Sequence, residues 1–231
     1  MIVTIHQPEH LIWLGLIDKI SKADIFVVLD TVQFRKNYYQ NRNKIRTNKK
    51  EGWTWLTVPI KKQPLETKIK DIEISDIAWK ERYLLLLEVN YAKAPYFRTY
   101  YPKIKKIINE NYSKLHDLNI ELLFFTLNCF DLENKKIIKS SEMNIRKDST
   151  GSDTVLEICK AVNADTYLAG SFGPDYLNAE DFKKAGIKID VHSFEHPTYK
   201  QQHEPFIPFM SSIDLLFNHG PTAKNILWNK K

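Results

Sequence analysis

The sequence lacks any apolar run close to the ~20 residues that a membrane-spanning helix requires. Its longest apolar stretches, Ile25–Leu29 and Leu84–Leu87, have the length of a strand or of one face of a helix. The opening residues, MIVTIHQPEH, lack the basic start and the cleavage site of a signal peptide. These absences predict a cytoplasmic protein without a membrane span.

Cysteine is scarce as well. The sequence has two cysteines, Cys129 and Cys159, and their spacing is not that of metal ligands. We therefore predict free, buried thiols in a reducing compartment and no metal site. The sequence also shows no Ser/His/Asp order and no catalytic cysteine motif, so a nucleophilic hydrolase is not expected.

Apolar bulk and positive charge are abundant. Hydrophobic residues make up 43% of the 231 residues and aromatic residues 12%, which supports a sizeable core and excludes a disordered chain. The formal net charge of +6 suits an anionic partner such as a nucleotide, a nucleotide-linked sugar or an acidic carrier protein. Because the lysines are scattered and no nucleic-acid-binding motif is present, specific nucleic-acid binding is not expected. A genome rich in A and T would produce the same lysine excess.

The first thirty residues have the pattern of a strand, a helix and a second strand. Ile2–Ile5 is a β-branched run that ends at Gln7-Pro8. Apolar residues then follow at helical spacing, at Leu11, Leu14, Ile17 and Ile20. Ile25–Leu29 is continuously apolar, as in a strand buried on both faces. This βαβ unit predicts a parallel sheet.

The same alternation resumes after a helical middle and a polar stretch at 133–151. We predict helices within 77–128 and at 153–162, 178–185 and 212–218, and strands at 166–169 and 187–194. The expected fold is α/β: one domain over residues 1–231 with a parallel, Rossmann-like sheet flanked by helices. Residues 77–132 are expected to be a mainly helical segment packed on that domain.

Residues 30–50 interrupt this regularity. The segment is rich in amides, cations and aromatic residues without a clean period, and it follows the carboxyl end of a predicted parallel strand. Open α/β sheets bind ligands at this edge. We interpret the segment as a binding loop that leads into a strand at Trp53–Pro59. A solvated surface loop is the alternative.

His6 and His10 follow the first predicted strand and open the helix after it. Unpaired N–H groups at a helix N-terminus favour an anion, and two histidines four residues apart can flank a phosphate or share a proton. His6 is therefore a catalytic candidate, and Gln7 and His10 are substrate-binding candidates. The alternatives are a structural, hydrogen-bonded His6 and a solvent-facing His10.

Asp30 comes directly after the second predicted strand, where a carboxylate can serve as a general base or cap the next turn. Arginine suits bidentate phosphate contacts and lysine acts as a point charge. The cationic candidates are Arg35, Lys36, Arg42, Lys44 and Lys61. Glycine in the late loop allows a ligand to approach the backbone closely. The remaining substrate-binding candidates are Gln33, Asn41, Gly170, Asp175, Tyr176, His203 and Asn218.

The sequence resembles the WbqC-like protein family. The resemblance rests on the run IHQPEHLIWLGLIDKISKADIFVVLDTVQFRKNYYQNRNKI, on WLTVPIK, and on the later segments KAPYF, GSFGPDYL, QQHEPF and DLLFNHGP. One departure is His10, where the family usually has an aromatic residue. Members of this family commonly belong to gene clusters for O-antigen and other surface polysaccharides, including lipopolysaccharide.

The resemblance implies an amide-forming acyl- or aminoacyltransferase that acts on a nucleotide-linked amino sugar. Arg35, Lys36 and Arg42 would then hold phosphates, and Asp30 or His6 would take the proton from the attacking ammonium. The donor would be an acyl-carrier-protein or CoA thioester, or a carboxylate activated by ATP.

The opening block is also similar to that of pantothenate synthetase and other HIGH-motif nucleotidyltransferases. This second resemblance implies an ATP-dependent nucleotidyltransferase or an acyl-adenylate ligase as the alternative. A non-catalytic binding subunit of a glycan assembly pathway is a third hypothesis.

Overall fold

Five short parallel strands form the central sheet of the computed structural model, which describes residues 1–75, 78–146 and 151–228. The strands are β1 (Ile2–His6), β2 (Ile25–Val28), β5 (Lys136–Lys139), β6 (Thr166–Ala169) and β7 (Lys188–Val191). They lie in the order β5-β2-β1-β6-β7, and all four neighbouring pairs are parallel. The α/β class and the parallel, Rossmann-like sheet predicted from the sequence are confirmed.

Helices cover both faces of the sheet. They are α1 (Leu14–Ser21), α2 (Trp79–Tyr91), α3 (Phe97–Asn109), α4 (Leu115–Cys129), α5 (Ser152–Ala161), α6 (Ala179–Lys184), α7 (Ser212–His219) and α8 (Ala223–Leu227). Helix α1 connects the neighbouring strands β1 and β2, so the predicted βαβ unit is present. None of the described helices combines the length and the apolar character needed to cross a membrane.

Alternate residues of β2 point into two separate cores. Phe26 and Val28 pack in the larger core, with apolar residues of α1, of the helical segment α2–α4 and of α7. Ile25 and Val27 pack in the smaller core, with apolar residues of α5 and α6. All four residues are buried, as the continuous apolar run predicts for an inner strand. The predicted start of the helical segment, Ile77, lies outside the described residues.

Three elements differ from the predicted pattern. The segment 30–50 is not loop throughout, because β3 (Arg42–Arg46) pairs with β4 (Trp53–Thr57) in an antiparallel hairpin. Strand β5 lies inside the stretch 133–151, where its sequence KIIK is short and flanked by polar residues. Helix α8 has five residues, too few for a period to be visible.

A buried arginine ties the long loop 195–209 to the hairpin. The Arg46 guanidinium is almost completely buried and donates to the carbonyls of His203 and Pro205 at 2.9 and 2.6 Å. Its Nε donates to Gln201 Oε1 at 3.0 Å, and Gln201 Nε2 donates to Asp214 Oδ2 at 2.8 Å. The loop is thereby held in place between the hairpin and α7.

Candidate functional site

A cavity of about 470 Å³ opens at the carboxyl ends of β1, β6 and β7. Its walls come from β1, the first turns of α1, the loop after β6 and the segment after β7. Open α/β sheets place ligands at this edge because the loops that follow the strands diverge there. The volume is that of a typical small-molecule site.

Three titratable side chains lie together at the base of this cavity: His6, Glu9 and Lys19. His6 ends β1, and its ring Nε2 lies 3.8 Å from Glu9 Oε1. The Nδ1–H of His6 donates to the Gln7 carbonyl at 2.9 Å, which leaves Nε2 as an acceptor. Lys19 lies one turn after Leu16 on the cavity face of α1, and its ammonium donates to the Ile5 carbonyl at 3.3 Å. We call these three side chains the floor of the cavity.

Burial of the floor sets its protonation. Lys19 and Glu9 are 4% and 7% exposed. Burial raises the pKa of Glu9 to about 8, although the Lys19 charge opposes the shift. Burial likewise lowers the pKa of Lys19 to about 8 against the opposing charge of Glu9. Burial, and then the Lys19 charge, lower the pKa of His6 to about 4. The floor therefore holds a neutral imidazole beside a carboxyl and an amine that both titrate close to physiological pH.

Part of the hydrogen-bonding capacity of the floor is unused. Within the described residues, Glu9 Oε2 is buried without a hydrogen-bond partner. A buried carboxyl oxygen without a partner is costly in a native structure unless a ligand or water completes it. The floor thus has the chemical character of a binding and proton-transfer site.

Aromatic side chains form most of the wall. Trp13 packs edge-on against Phe194, with ring centroids 5.5 Å apart, and lies 6.0 Å from Phe209. The full aromatic set is Trp13, Tyr38, Tyr39, Tyr167, Phe172, Tyr176, Phe194 and Phe209. Aromatic faces combine a large apolar contact area with hydroxyl groups at the tyrosine tips, which suits a ring-shaped polar ligand.

His192 completes the wall on the β7 side. Its Nε2–H donates to Asp18 Oδ2 at 2.7 Å, and the same oxygen accepts from Lys22 Nζ at 2.6 Å. Asp18 belongs to α1, so this pair fixes the position of the β7 end relative to the helix that carries Lys19. His192 therefore orients the wall.

Three of the residues predicted from the sequence line the cavity: His6, Gly170 and Tyr176. Asp175 lies beside Tyr176 but is exposed and does not line the cavity. Gly170 faces the floor, because a Cβ at this position would lie 3.9 Å from the Lys19 ammonium. That the Gly-containing loop contributes to a ligand site stays a prediction.

Asp30 lies outside the cavity, at the carboxyl ends of β2 and β5. Its fully buried carboxylate accepts from Ser140 Oγ at 2.8 Å and from the Ser141 amide and hydroxyl at 2.9 and 2.6 Å. His116 Nε2 lies 3.7 Å from Asp30 Oδ2. These bonds join the ends of the two strands. A catalytic role for Asp30 stays a prediction.

His10 is turned away from His6. Its Nδ1–H donates to Asn119 Oδ1 at 3.0 Å, and its Nε2 accepts from the Tyr83 hydroxyl at 2.7 Å. The ring is fully buried between α2 and α4, and burial lowers its pKa to about 4. Gln7 accepts from Gln40 Nε2 at 2.6 Å. The structure does not bring His10 and His6 together. The prediction that they open the first helix is wrong, because Leu11 has a positive φ and α1 begins only at Leu14.

The other predicted polar residues occupy several places. Lys61 pairs with Glu73 at 2.8 Å, and the exposed Gln33 donates to the Leu65 carbonyl at 2.7 Å. Asn41 is buried and donates to the Val58 carbonyl at 3.0 Å. The backbone carbonyl of His203 accepts a hydrogen bond from Arg46, and Asn218 donates to Gln202 Oε1 at 3.0 Å. None of these five residues lines the cavity.

The predicted cations of segment 30–50 lie nearer to the cavity. The Arg35 guanidinium lies 4.6 Å from the centroid of Tyr38, a residue of the cavity wall. Lys36 is exposed beside it, and Arg42 stacks on Trp55 at 4.0 Å. These cations are available to a ligand that extends out of the cavity.

Glu9 and Lys19 are the main residues that sequence reasoning missed. Lys19 resembles a surface cation in the last turn of a helix, where it complements the helix dipole. The signal that distinguishes it is its position between Ile17 and Ile20 in a short helix of which seven residues out of eight are buried. Among the described residues, no cluster of three or more His, Cys, Asp or Glu is placed to hold a metal ion.

Comparison with known proteins places this architecture in a family. The sequence model of the WbqC-like protein family matches residues 7–226. The chain belongs to the WbqC-like protein family. This WbqC-like chain is also 28% identical over 228 residues to the uncharacterized protein Rv1507c of Mycobacterium tuberculosis (strain ATCC 25618 / H37Rv), a match that covers 97% of the chain and 96% of the relative. No solved structure matches it.

Proposed function

We propose that this WbqC-like protein is an amide-forming acyl- or aminoacyltransferase that acts on a nucleotide-linked amino sugar in surface-polysaccharide biosynthesis. The observation that carries the proposal is the floor of the cavity, where Glu9, Lys19 and His6 meet beneath an aromatic wall. Membership of the WbqC-like family supports the polysaccharide context. The reaction would transfer an activated acyl group to the amino group of the sugar.

Glu9 is the proposed general base. Its carboxylate would take a proton from the sugar ammonium, and the freed amine would attack the acyl carbonyl carbon. A C–N bond forms, and the C–S bond of a thioester or the C–O bond of an acyl adenylate breaks with its electron pair leaving on the sulfur or on the oxygen. The second proton that the nitrogen loses passes to this leaving group or to solvent. With a pKa of about 8, Glu9 is a stronger base than an ordinary carboxylate and still ionises near neutral pH.

Lys19 and His6 would stabilise the reacting groups. The tetrahedral intermediate carries an oxyanion, and the buried ammonium of Lys19 is a fixed positive charge in a site that excludes much of the solvent. His6 Nε2 is an acceptor and would hold one N–H of the attacking amine. We therefore propose His6 as a positioning residue, and Glu9 takes over the proton-accepting role that the sequence suggested for His6 or Asp30.

The aromatic wall would receive the sugar ring. Trp13, Tyr39 and Tyr176 line the cavity, with hydroxyl groups on the two tyrosines that can bond to sugar hydroxyls. Arg35 beside Tyr38 stands where the sugar phosphate would leave the cavity. Gln33, Asn41 and Lys61 do not line the cavity and have no role in this proposal.

An ATP-dependent nucleotidyltransferase or acyl-adenylate ligase receives less support. That hypothesis rests on the similarity of the opening block, in which His6 and His10 stand four residues apart, and His10 is enclosed between Tyr83 and Asn119. A non-catalytic binding subunit would use the same cavity. Binding alone does not require the pKa values near 8 of Glu9 and Lys19, whereas proton transfer does.

The test is a mass-spectrometric assay for amide formation. The full chain is incubated with uridine- or thymidine-linked amino sugars and their hydroxyl analogues, together with either acyl thioesters or ATP and a carboxylic acid. We expect an acylated product from an amino sugar and none from its hydroxyl analogue. Release of pyrophosphate without sugar acylation would instead favour the nucleotidyltransferase, and the absence of any product would favour the binding subunit.

A matched pair of variants tests the base. Glu9→Gln keeps the shape of the side chain and should lower turnover by a hundredfold or more, on the order of a general-base contribution, with substrate affinity within a few-fold. Glu81→Gln changes an exposed carboxylate of α2 and should leave turnover unchanged. Equal turnover in the two variants would remove Glu9 from the mechanism.

A further inference from the structure

The outer face of the hairpin combines cations and aromatic rings. Along β3 and β4 the residues alternate, so that Asn43, Ile45 and Leu56 are buried on the inner face. The outer face carries four half-buried side chains: Arg42, Lys44, Trp53 and Trp55. Trp53 and Trp55 are therefore neither packed in the core nor fully exposed, and part of each indole is accessible beside a cation.

The cations lie over the rings. Arg42 Cζ lies 4.0 Å from the centroid of Trp55, and Lys44 Nζ lies 4.3 Å from that of Trp53. The two indole rings meet edge-on with centroids 5.4 Å apart. Cation–π contacts of this kind hold a guanidinium or ammonium in place without neutralising its charge.

This surface is continuous with the cavity. Tyr39 lines the cavity and packs against Trp55, with centroids 5.7 Å apart. Tyr38 also lines the cavity, lies 5.3 Å from Tyr39 and carries Arg35 over its ring at 4.6 Å. We call the whole row the cation–aromatic strip, which consists of Arg35, Tyr38, Tyr39, Arg42, Lys44, Trp53 and Trp55.

The charge of the strip is uncompensated. Among the described residues, Arg35, Arg42 and Lys44 are not ion-paired with a carboxylate, and their close partners are rings and a backbone carbonyl. Arg42 Nε has no hydrogen-bond partner in the described part of the chain. Three positive charges next to four aromatic faces complement a ligand that is both anionic and aromatic.

We propose that the strip binds a nucleoside diphosphate. Its base stacks on the indole of Trp55, from which the Arg42 guanidinium turns towards the phosphates. Arg35 and Lys44 supply the other two charges that hold the phosphates. This inference rests on the proposed function, which identifies the group in the cavity as a sugar. That sugar is attached to the second phosphate of the nucleotide. The strip thereby supplies affinity for the nucleotide, and the floor supplies the chemistry.

The experiment is calorimetric titration of the full chain with uridine diphosphate, thymidine diphosphate and inorganic pyrophosphate. Arg42→Gln removes one charge from the strip, and Trp55→Thr removes a stacking surface while keeping a residue suited to a strand. Each should weaken binding of the nucleoside diphosphates by ~10-fold or more, because Trp55→Thr removes base stacking and Arg42→Gln removes a charge-assisted phosphate contact. Arg98→Gln removes an exposed arginine from α3 and is the matched control, with affinity expected within twofold.

The outcomes separate the strip from the transferase. If the nucleoside diphosphates bind and the two variants weaken them, the strip proposal stands even where no amide is formed. If amide forms on free amino sugars while no nucleoside diphosphate binds, the strip proposal is wrong and the transferase stands. Equal affinity for pyrophosphate, tighter binding of a short single-stranded oligonucleotide, or Arg42→Gln behaving like Arg98→Gln would each overturn the strip proposal.

Discussion

The ammonium of Lys19 lies 3.3 Å from the carbonyl oxygen of Ile5, so a cation of α1 is held against the end of the neighbouring strand β1. The contact is longer than a usual charge-assisted hydrogen bond and leaves other N–H groups of the ammonium free to bond elsewhere. It places a positive charge beneath the cavity next to Glu9, where each group shifts the pKa of the other.

This pairing predicts a pH profile for the proposed acyl transfer. Turnover should rise with pH as Glu9 loses its proton and should fall again as Lys19 loses its own. Both limbs of the pH profile should lie close to pH 8, and because the two groups interact, each apparent pKa belongs to the pair. Lys19→Met should lower turnover and remove the upper limb. It should also move the lower limb to higher pH, because the Lys19 charge lowers the pKa of Glu9. The measurement is turnover from pH 5.5 to 10, and a flat wild-type profile would contradict the assignment.

Gly15→Ala tests the close approach of Trp13 to α1. A Cβ at residue 15 would overlap the indole ring of Trp13, which lies over this turn of the helix and lines the cavity. Alanine favours a helix by about 1 kcal/mol over glycine, so the loss is not one of helix propensity. We expect a shift in tryptophan fluorescence and weaker binding of the amino-sugar nucleotide. Unchanged binding would show that the present position of the Trp13 indole is not needed for ligand binding.

His10→Gln tests the buried imidazole through the pH dependence of stability. The folded-state pKa of His10 is about 4, below the usual value of 6.5, so the unfolded chain binds a proton that the folded chain does not. The stability of the wild type therefore falls as pH decreases from 6.5 towards 4, by up to about 1.4 kcal/mol per pH unit from this group. His6 contributes equally in both proteins. In urea unfolding, the penalty of His10→Gln at pH 7 should shrink at pH 5, and a constant penalty would contradict the assignment.

Arg46→Leu tests the connection between the hairpin and the loop 195–209. The variant removes the donor to the carbonyls of His203 and Pro205 and to Gln201, all in a buried environment. Hydrogen bonds to a charged group contribute about 1.5–3 kcal/mol each, so losing several of them should cost about 3 kcal/mol or more. Urea unfolding against Arg98→Leu, an exposed arginine on α3, measures the difference. A difference below about 1 kcal/mol would mean that water replaces the guanidinium.

The elements that the sequence predicted well are those whose pattern depends on burial alone. β1 and β2 carry a β-branched run and an all-apolar run, which are typical of buried strands. α1 carries a 3.6-residue stripe, although the stripe's first residue, Leu11, precedes the helix. β3 has the sequence RNKIR, and its inner face is partly polar because Asn43 donates to the backbone carbonyls of His10 and Leu11. A strand with a hydrogen-bonding inner face shows no hydrophobic alternation.

The site was predictable in position but not in its full composition. His6 is the last residue of β1 and Gly170 follows β6, and topology alone brings the ends of these two parallel strands to one edge. The burial of Glu9 and Lys19 depends on packing between α1, β1 and the segment after β7, which are distant in sequence. Asp30 follows a neighbouring strand, but the serines that engage it come from a strand end that was not predicted.

The cavity is made from two parts of the chain that are far apart, residues 5–39 and 167–209. The first part carries the floor, and the second contributes much of the wall, held in place through Arg46 and Asp214. When a ribosome has synthesised only the first two thirds of the chain, the floor residues His6, Glu9 and Lys19 are therefore present, but much of the cavity wall is not. Ligand binding should appear late in translation, once α7 has docked, and a fragment that ends before residue 167 should bind nothing in this cavity.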